Sequence, residues 1–186
     1  MTEIKPRWEW RSFGGRFGVA EERLARLAST GVQESDEIYL LSGAGENVKV
    51  RDALMDIKVL REVDADGLEQ WTPVMKAGFP LPAAEAAQVL EALGLPVPKP
   101  LPSRYAQDAF LRQFAAPGSS VRVVKVHKRR TRYTLSGCMA ELSEVVANGK
   151  PGEVNLFNLV GSGFMEGAST LTIGGVARLD TVTNQS

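Results

Sequence analysis

Cysteine and histidine are almost absent from this sequence of 186 residues, which contains one of each, Cys138 and His127. A single cysteine can form no disulfide within the chain, which predicts a protein of a reducing compartment. The sequence also lacks the cysteine and histidine spacing of a zinc site. A serine–histidine–acid triad would depend on His127, whose basic surroundings suit a general base poorly.

Long apolar runs are missing as well. No segment approaches the roughly 18 apolar residues of a membrane-spanning helix, and the start MTEIKPRWEW lacks the apolar centre of a secretory signal. We therefore expect a soluble, cytoplasmic protein without a membrane partner. The 22 basic residues balance 22 acidic ones, so strong general binding to nucleic acid is not expected and any polyanion site must be local. A Walker-type nucleotide loop is absent.

Apolar residues recur at strand or helix spacing over most of the chain. Pro82 and Gly94 fit the first turn and the end of one helix, and Ser103 fits the N-cap of the next. Helices are predicted at 19–30, 82–93 and 103–114, and strands at 6–13, 36–42, 48–63 with a turn at 52–54, 68–74, 120–128, 131–137 and 139–147.

Strands dominate this order and helices flank them. The pattern predicts an antiparallel α+β fold whose sheet closes into a barrel or tunnel. Four prolines in residues 95–103 predict a stiff, extended linker between two halves of a single domain that covers residues 6–186. Residues 150–186 are rich in glycine and poor in charge, and we interpret them as an atypical tail.

Basic side chains recur at one parity of several predicted strands. In the opening strand, Arg7, Glu9 and Arg11 share one face, and Trp8 and Trp10 share the other. Such faces are either solvated, where lysine prevents edge-to-edge association, or they converge on a phosphate chain, which arginine binds with two parallel hydrogen bonds. The further pairs that share a face are Lys49 with Arg51, Asp56 with Lys58, and Lys128 with Arg130.

Four glutamates on or beside these strands are candidate ligands of a hard divalent cation. Mg²⁺ and Mn²⁺ prefer oxygen ligands, and they often use one or two carboxylates together with substrate phosphates. The candidates are Glu9, Glu69, Glu141 and Glu144.

The order of these motifs resembles the CYTH domain, also called the triphosphate tunnel metalloenzyme family. The resemblance covers roughly residues 6–145 and is carried by RWEWR at 7–11, Lys49-x-Arg51, Lys58 and Lys128-x-Arg130-x-x-Tyr133. It implies an eight-stranded antiparallel β tunnel that holds a triphosphate. Its implied phosphate ligands are Arg11, Lys49, Arg51, Lys58, Lys128 and Arg130. Its implied ligands for Mg²⁺ or Mn²⁺ are Glu9 and Glu141, followed by Glu69 and Glu144.

The chain departs from the family pattern in its opening signature and in its closing strand. The opening signature of the family is Glu-x-Glu-x-Lys, and this chain has Arg7, Glu9 and Arg11 there. Arg7 removes a metal-ligand candidate and repels a cation. The closing Glu-x-Glu strand of the family has no counterpart after Glu144, so a tunnel without its last strands would have an open edge or need a second copy to close it.

Three functions are compatible with the sequence. The first is divalent-metal-dependent hydrolysis of a triphosphate or short polyphosphate, which requires positioning and charge neutralisation above all. The second is a non-catalytic module that binds polyphosphate or the phosphates of a nucleotide. The third is an α+β domain whose charged strands are only solvated. The sequence does not identify the substrate or a catalytic residue. It also leaves open the choice between a hydrolase and a cyclase.

Overall fold

The computed structural model describes residues 7–14, 17–116, 118–135, 137–148, 150–151, 155–161, 171–173 and 176–179. None of the described helices combines the length and apolar character that a bilayer crossing requires. The elements in chain order are β1 Arg7–Gly14, α1 Val19–Ala25, β2 Gly31–Leu41, β3 Asn47–Arg51, β4 Leu54–Val63, β5 Glu69–Gly78, β6 Leu81–Pro82, α2 Ala83–Ala92, β7 Arg104–Tyr105, α3 Gln107–Arg112, β8 Arg122–Leu135, β9 Cys138–Ala147, β10 Lys150–Pro151, β11 Asn155–Gly161, β12 Leu171–Ile173 and β13 Val176–Leu179.

Eight of these strands form a closed antiparallel ring. The pairing runs β1–β5–β4–β3–β2–β8–β9–β11, and β11 pairs back with β1. Each strand of the ring therefore has two neighbours, and the predicted α+β fold with an antiparallel barrel is confirmed. The short strand β10 extends the pairing of β9, while β6–β7 and β12–β13 are separate two-stranded pairs.

The strand β11 closes the ring between β1 and β9. Its Asn158 lies opposite Arg11 on one side and Glu141 on the other. The expectation of an open edge in this region is wrong, because strand pairing uses backbone groups and does not require the charged pair that the family carries there. The predicted tail, residues 150–186, continues beyond β11. Its residues 162–170, 174–175 and 180–186 lie outside the described residues.

The basic run lies within one continuous strand. The sequence predicts separate strands at 120–128 and 131–137, whereas β8 continues to Leu135, and the chain turns at Gly137 with a φ of 81°. This prediction is wrong because consecutive charges do not interrupt a strand whose successive side chains point to opposite faces. Lys128 and Arg130 point to one face, and Arg129 points to the other, where it pairs with Glu34 and Glu144.

The helix boundaries match the predictions only in part. The helix α2 agrees with the predicted span 82–93, and Gly94 follows it with a φ of 69°. The helix α1 ends at Ala25, five residues early, because β2 already begins at Gly31. The prediction that Ser103 caps α3 is wrong. Ala106 is the N-cap, and the Ser103 carbonyl accepts a hydrogen bond from the Ala83 N–H at 3.0 Å.

The main apolar core lies between helices α2 and α3 and the outward face of strands β2–β5. Phe110 is fully buried in this core. Leu95, Val97 and Leu101 of the proline-rich segment 95–103 also pack against the core. Apolar residues at one parity of each strand supply this core, which leaves the other parity for the interior of the ring. Its buried members are Leu40, Val48, Val50, Met55, Ile57, Met75, Leu81, Ala86, Val89, Leu90, Leu93, Phe110, Phe114 and Val121.

A smaller core covers the other side of the barrel. Trp8 and Trp10 of β1 pack there against Leu24 of α1 and Tyr133 of β8. The tryptophan face of the opening strand is therefore apolar and points outward, as its alternation predicts. Tyr133, which the sequence groups with the basic residues of β8, lies on this outer face and not with Lys128.

We predict that Phe110→Ala lowers the free energy of unfolding by about 3–5 kcal/mol, because the truncated side chain leaves a cavity. The ring lies 5.3–6.3 Å from the rings of Phe79, Tyr105 and Phe114, measured between centroids. Urea denaturation followed by circular dichroism measures the change. Phe13→Ala is the matched control, and because Phe13 is exposed its effect should stay below about 1 kcal/mol. Equal effects would contradict this position of the core.

Candidate anion-binding site

The inner face of the barrel is polar and charged. Tyr39 of β2 and Arg11 of β1 influence each other electrostatically although their strands are not neighbours, so both point into the same interior. The alternation of each strand places these side chains opposite the apolar cores. The ion-paired residues form three groups, which we call the Glu37 cluster, the Glu141 cluster and the Glu9–Glu69 cluster.

The Glu37 cluster gathers four cations from strands β3 and β8 around one buried carboxylate. Glu37 Oε2 lies 3.2 Å from Lys49 Nζ and 3.9 Å from Lys128 Nζ. Glu37 Oε1 accepts a hydrogen bond from Arg130 and lies 3.8 Å from Arg51 Nη1. The side chain of Glu37 has no exposed surface. A buried carboxylate is tolerated only when it is paired in this way, because burial alone strongly disfavours its charge.

Tyr39 connects the carboxylate to the two lysines. Its hydroxyl donates a hydrogen bond to Glu37 Oε2 at 2.6 Å and accepts one from Lys128 Nζ at 2.8 Å. The ammonium groups of Lys49 and Lys128 lie 5.6 Å and 4.9 Å from the centre of the Tyr39 ring, within cation–π range. Burial, followed by the negative charge of Glu37, raises the pKa of Tyr39 above its ordinary range, so the hydroxyl remains a donor.

The charges of the Glu37 cluster change the pKa of its carboxyl group. Burial raises the pKa of Glu37, but Lys49, the Tyr39 hydrogen bond, Lys128 and Arg130 together outweigh burial and lower the pKa from 4.5 to about 2. Glu37 is therefore ionised over the whole physiological range.

The pKa values of both lysines in the cluster are lowered, which favours their neutral form. Burial, with help from Lys49 and Arg130, lowers the pKa of Lys128 from 10.5 to about 8, although Glu37 opposes the shift. Burial is also the main cause that lowers the pKa of Lys49. One carboxylate does not fully neutralise four neighbouring cations, so this part of the interior remains positive.

The Glu141 cluster adjoins the first through a shared arginine. Glu141 Oε2 accepts a hydrogen bond from Arg132 Nε at 3.0 Å, and Glu141 Oε1 accepts one from Ser143 Oγ at 3.1 Å. Arg130 Nε lies 3.6 Å from Glu141 Oε1 while its terminal nitrogen binds Glu37. Arg130 therefore links two buried carboxylates that stand on different strands, β2 and β9.

The Glu9–Glu69 cluster occupies strands β1, β4 and β5. Glu69 Oε2 accepts hydrogen bonds from Arg11 Nε at 2.8 Å and Trp71 Nε1 at 2.7 Å, and the Arg11 guanidinium lies 4.9 Å from the centre of the Trp71 ring. Glu9 lies directly opposite Glu69 in the strand register and 3.7 Å from Lys58 Nζ. Like charges in opposing positions repel each other, and each carboxylate here has its own cation.

The structure brings together most of the residues that the sequence nominates. The six predicted phosphate ligands all lie on the inner face, and each pairs with a carboxylate of the three clusters. Of the predicted metal ligands, Glu9, Glu69 and Glu141 also lie there. Glu144 lies apart from them on the outer face, exposed and paired with Arg129. The phosphate-ligand candidates are Arg11, Lys49, Arg51, Lys58, Lys128 and Arg130.

Sequence reasoning missed the residues at the centre of the site. Glu37 and Tyr39 are not among its candidates, although they share one parity of β2 while Ile38 and Leu40 share the other. That alternation was a usable signal, because a glutamate that alternates with core residues is on the opposite face. Arg132 was also missed, since a run of five consecutive residues that contains four cations does not show which of them point inward.

The carboxylates do not form a metal-binding group by themselves. Among the described residues, no three histidine, cysteine, aspartate or glutamate side chains come close enough to hold one ion together. The opposing pair Glu9 and Glu69 supplies two carboxylates, which suits Mg²⁺ or Mn²⁺ only if the ligand's phosphate oxygens and water complete the coordination.

Comparisons with known proteins provide weak likenesses. No protein-family model matches the sequence, and no curated protein matches it. A conserved hypothetical protein from Pyrococcus furiosus is similar in structure at 13% identity and a TM-score of 0.43, over 83% of this chain and 78% of that chain. A Pyrococcus horikoshii OT3 protein has 18% identity and a TM-score of 0.42, over 83% and 77%. A Bacillus halodurans protein described as a "putative adenylate cyclase" has 14% identity and a TM-score of 0.42, over 84% and 81%. These values assign neither a family nor an activity to this chain.

We predict that Glu37 makes the stability of the fold depend on acid pH. Because its pKa in the folded protein lies below 4.5, ionised Glu37 stabilises the fold above pH 4.5, and this contribution of about 3 kcal/mol is lost as the pH falls to about 2. Glu37→Gln should lower the free energy of unfolding by about 3–5 kcal/mol at pH 7, and the difference from wild type should shrink towards pH 2.

Urea denaturation at a series of pH values measures this difference. The matched control is Glu34→Gln, the same chemical change on the same strand, where the exposed carboxylate pairs with Arg129 on the outer face. The control should lose less than about 1 kcal/mol at pH 7. A difference between wild type and Glu37→Gln that is constant from pH 7 to pH 2 would contradict the assignment.

Proposed function

We propose that the barrel interior binds a triphosphate or short polyphosphate, and that the chain is a divergent member of the CYTH or triphosphate tunnel family. The observation that carries this proposal is the charge of the inner face. The three clusters contain seven basic side chains and four carboxylates, an excess of three positive charges. Asp56, which lies opposite Lys49, reduces the excess to two. The basic members are Arg11, Lys49, Arg51, Lys58, Lys128, Arg130 and Arg132.

A phosphate chain suits the charge of this surface. The chain as a whole carries no net charge, so the positive interior is a local feature and not part of a generally basic protein. Arginine guanidinium groups bind phosphate oxygens with two parallel hydrogen bonds, and lysine contributes a compact charge. Inside a barrel these interactions are stronger than on the surface, because less water screens them. An extended polyanion can contact cations on several strands at once.

Hydrolysis is the activity that we propose for the bound phosphate chain. Glu9 and Glu69, which lie opposite each other in the strand register, would hold Mg²⁺ or Mn²⁺ together with phosphate oxygens, and Glu141 of β9 is a further candidate ligand. The bound cation would supply charge neutralisation and an activated water. The chain's own arginines and lysines would position the phosphates and stabilise the charge of the transition state. Glu144 is not included, because its side chain points outward.

A non-catalytic binding module is the second candidate function. It is favoured by a specific observation, that each carboxylate of the three clusters already pairs with a lysine or arginine. A metal ion would have to compete with these cations for its ligands. Both candidate functions share the same phosphate site and differ only in whether a metal ion enters it.

Tripolyphosphate affinity tests the shared part of the proposal. We expect the double variant Lys128→Ala with Arg130→Ala to bind tripolyphosphate at least about 100-fold more weakly in isothermal titration calorimetry, because two charge-assisted contacts are lost. The matched control is Lys125→Ala with Arg129→Ala, which removes the same two side-chain types from the outer face of β8 and should change affinity by less than about threefold. Equal losses, or none in the inner variant, would overturn the proposal.

A milder variant guards against loss of the fold. Arg51 is the most exposed cation of the Glu37 cluster, and Arg51→Ala leaves Glu37 with three cations. It should fold with the circular dichroism spectrum of the wild type and bind tripolyphosphate about tenfold more weakly.

Phosphate release separates the two candidate functions. Tripolyphosphate, ATP and thiamine triphosphate are incubated with the protein, with and without Mg²⁺ or Mn²⁺. A hydrolase should release phosphate only with the metal, and Glu9→Gln should abolish release while metal-free binding of tripolyphosphate persists. Binding without release from any of the three compounds would favour the binding module.

A further inference from the structure

Glu37 contributes to the site although it cannot touch the ligand. We propose that Glu37 is a positioning residue that holds Lys49, Lys128 and Arg130 in one fixed, charged array for a single phosphate group of the bound polyanion. The inference rests on the proposed function for its ligand. It adds a residue, and a role, that neither the sequence motifs nor the comparisons assign.

Exposure shows which groups a ligand would meet. The side chain of Glu37 has no exposed surface, whereas the array members Lys49, Lys128 and Arg130 are 13%, 14% and 7% exposed and the neighbouring Arg51 is 32% exposed. The cations therefore reach the accessible part of the interior, and the carboxylate lies behind them. A phosphate would contact the cations on the side away from Glu37 and would not need to displace it.

The lysines retain hydrogen-bonding capacity for such a phosphate. Among the described residues, Lys49 Nζ makes one side-chain hydrogen bond, to Glu37, and Lys128 Nζ makes one, to Tyr39. Each ammonium group has three N–H donors, so two on each lysine are available. Because Tyr39 binds both Glu37 and Lys128, the carboxylate fixes the direction of Lys128 through the phenol as well as by direct attraction.

The surroundings of Lys128 explain why the array needs a buried anion. Glu37 and Tyr39 face it from β2, Lys49 from β3, Arg130 from its own strand and Glu141 from β9. Burial disfavours its charge most, and repulsion by Lys49 and Arg130 adds to burial, so the pKa of Lys128 is already lowered to about 8 with Glu37 present. Without Glu37 the pKa of Lys128 must fall further, and the lysine would lose its charge, and its attraction for phosphate, near neutral pH.

Two measurements on Glu37→Gln test the inference. The first is the pH dependence of acetylation of each lysine by acetic anhydride, read by mass spectrometry, which reports the pKa of Lys128 and Lys49 without any ligand. The second is tripolyphosphate affinity from pH 6 to pH 9. We expect the pKa of Lys128 to fall by about one unit or more. Affinity should then fall at least about fivefold at pH 8, about tenfold at pH 9 and very little at pH 6, because the charged fraction falls about tenfold per unit only well above the pKa.

The controls separate positioning from a general loss of structure. Glu34→Gln removes a carboxylate from the outer face of the same strand and should change neither the pKa of Lys128 nor the pH profile of binding. Glu37→Asp keeps the charge on a shorter side chain. It should keep the pKa of Lys128 within about half a unit of wild type and lose affinity equally at pH 6 and pH 8. This variant carries the test if Glu37→Gln fails to fold.

The outcomes distinguish this inference from the proposed function. Tighter tripolyphosphate binding by Glu37→Gln at every pH would overturn the inference and show that Glu37 competes with the ligand. An unchanged pKa of Lys128 in that variant would also overturn it. If wild type binds no tripolyphosphate but the pKa of Lys128 still falls in the variant, the proposed function fails, while the role of Glu37 in keeping the lysines charged is supported.

Discussion

The attraction between one buried carboxylate and four surrounding cations is the interaction on which the interior of this barrel depends. A closed ring of eight strands shields the side chains of its inner face from bulk water, and charges in such a place are tolerated only in compensating sets. Glu37 compensates Lys49, Arg51, Lys128 and Arg130. Arg130 then extends the set to Glu141. Two of the three clusters are thus connected, and the interior stays positive because the cations outnumber the carboxylates.

The apolar cores make this arrangement possible from outside the ring. Strands β2–β5 pack their outward side chains against α2 and α3, and the tryptophans of β1 pack against α1. A sheet usually buries one face and exposes the other to solvent, whereas this sheet closes on its polar face. Hydrophobic burial therefore stabilises the barrel from its outer surface, and the inner face is available for charged groups that would weaken an ordinary core.

The positive interior and the paired carboxylates have opposite consequences for chemistry. An excess of cations attracts a polyanion, and both candidate functions need that attraction. The pairing of Glu9 with Lys58 and of Glu69 with Arg11 reduces the capacity of these carboxylates to bind a metal ion. An arriving phosphate chain would alter this balance, since it can take over the lysine and arginine and release the carboxylates. Metal binding and phosphate binding would then be linked and not independent.

The sequence by itself determined the alternation of charged and apolar residues, the antiparallel barrel and the shared face of residues such as Lys128 and Arg130, because side-chain parity along a strand is a local property. Only the tertiary structure decided which carboxylate meets which cation. The pairing of Glu37 with Arg130 joins residues 93 positions apart, and register between distant strands is not encoded in either strand alone. Closure by β11 and the outward position of Glu144 were decided in the same way, because backbone pairing and the direction of a single side chain depend on neighbours that come together only in the fold.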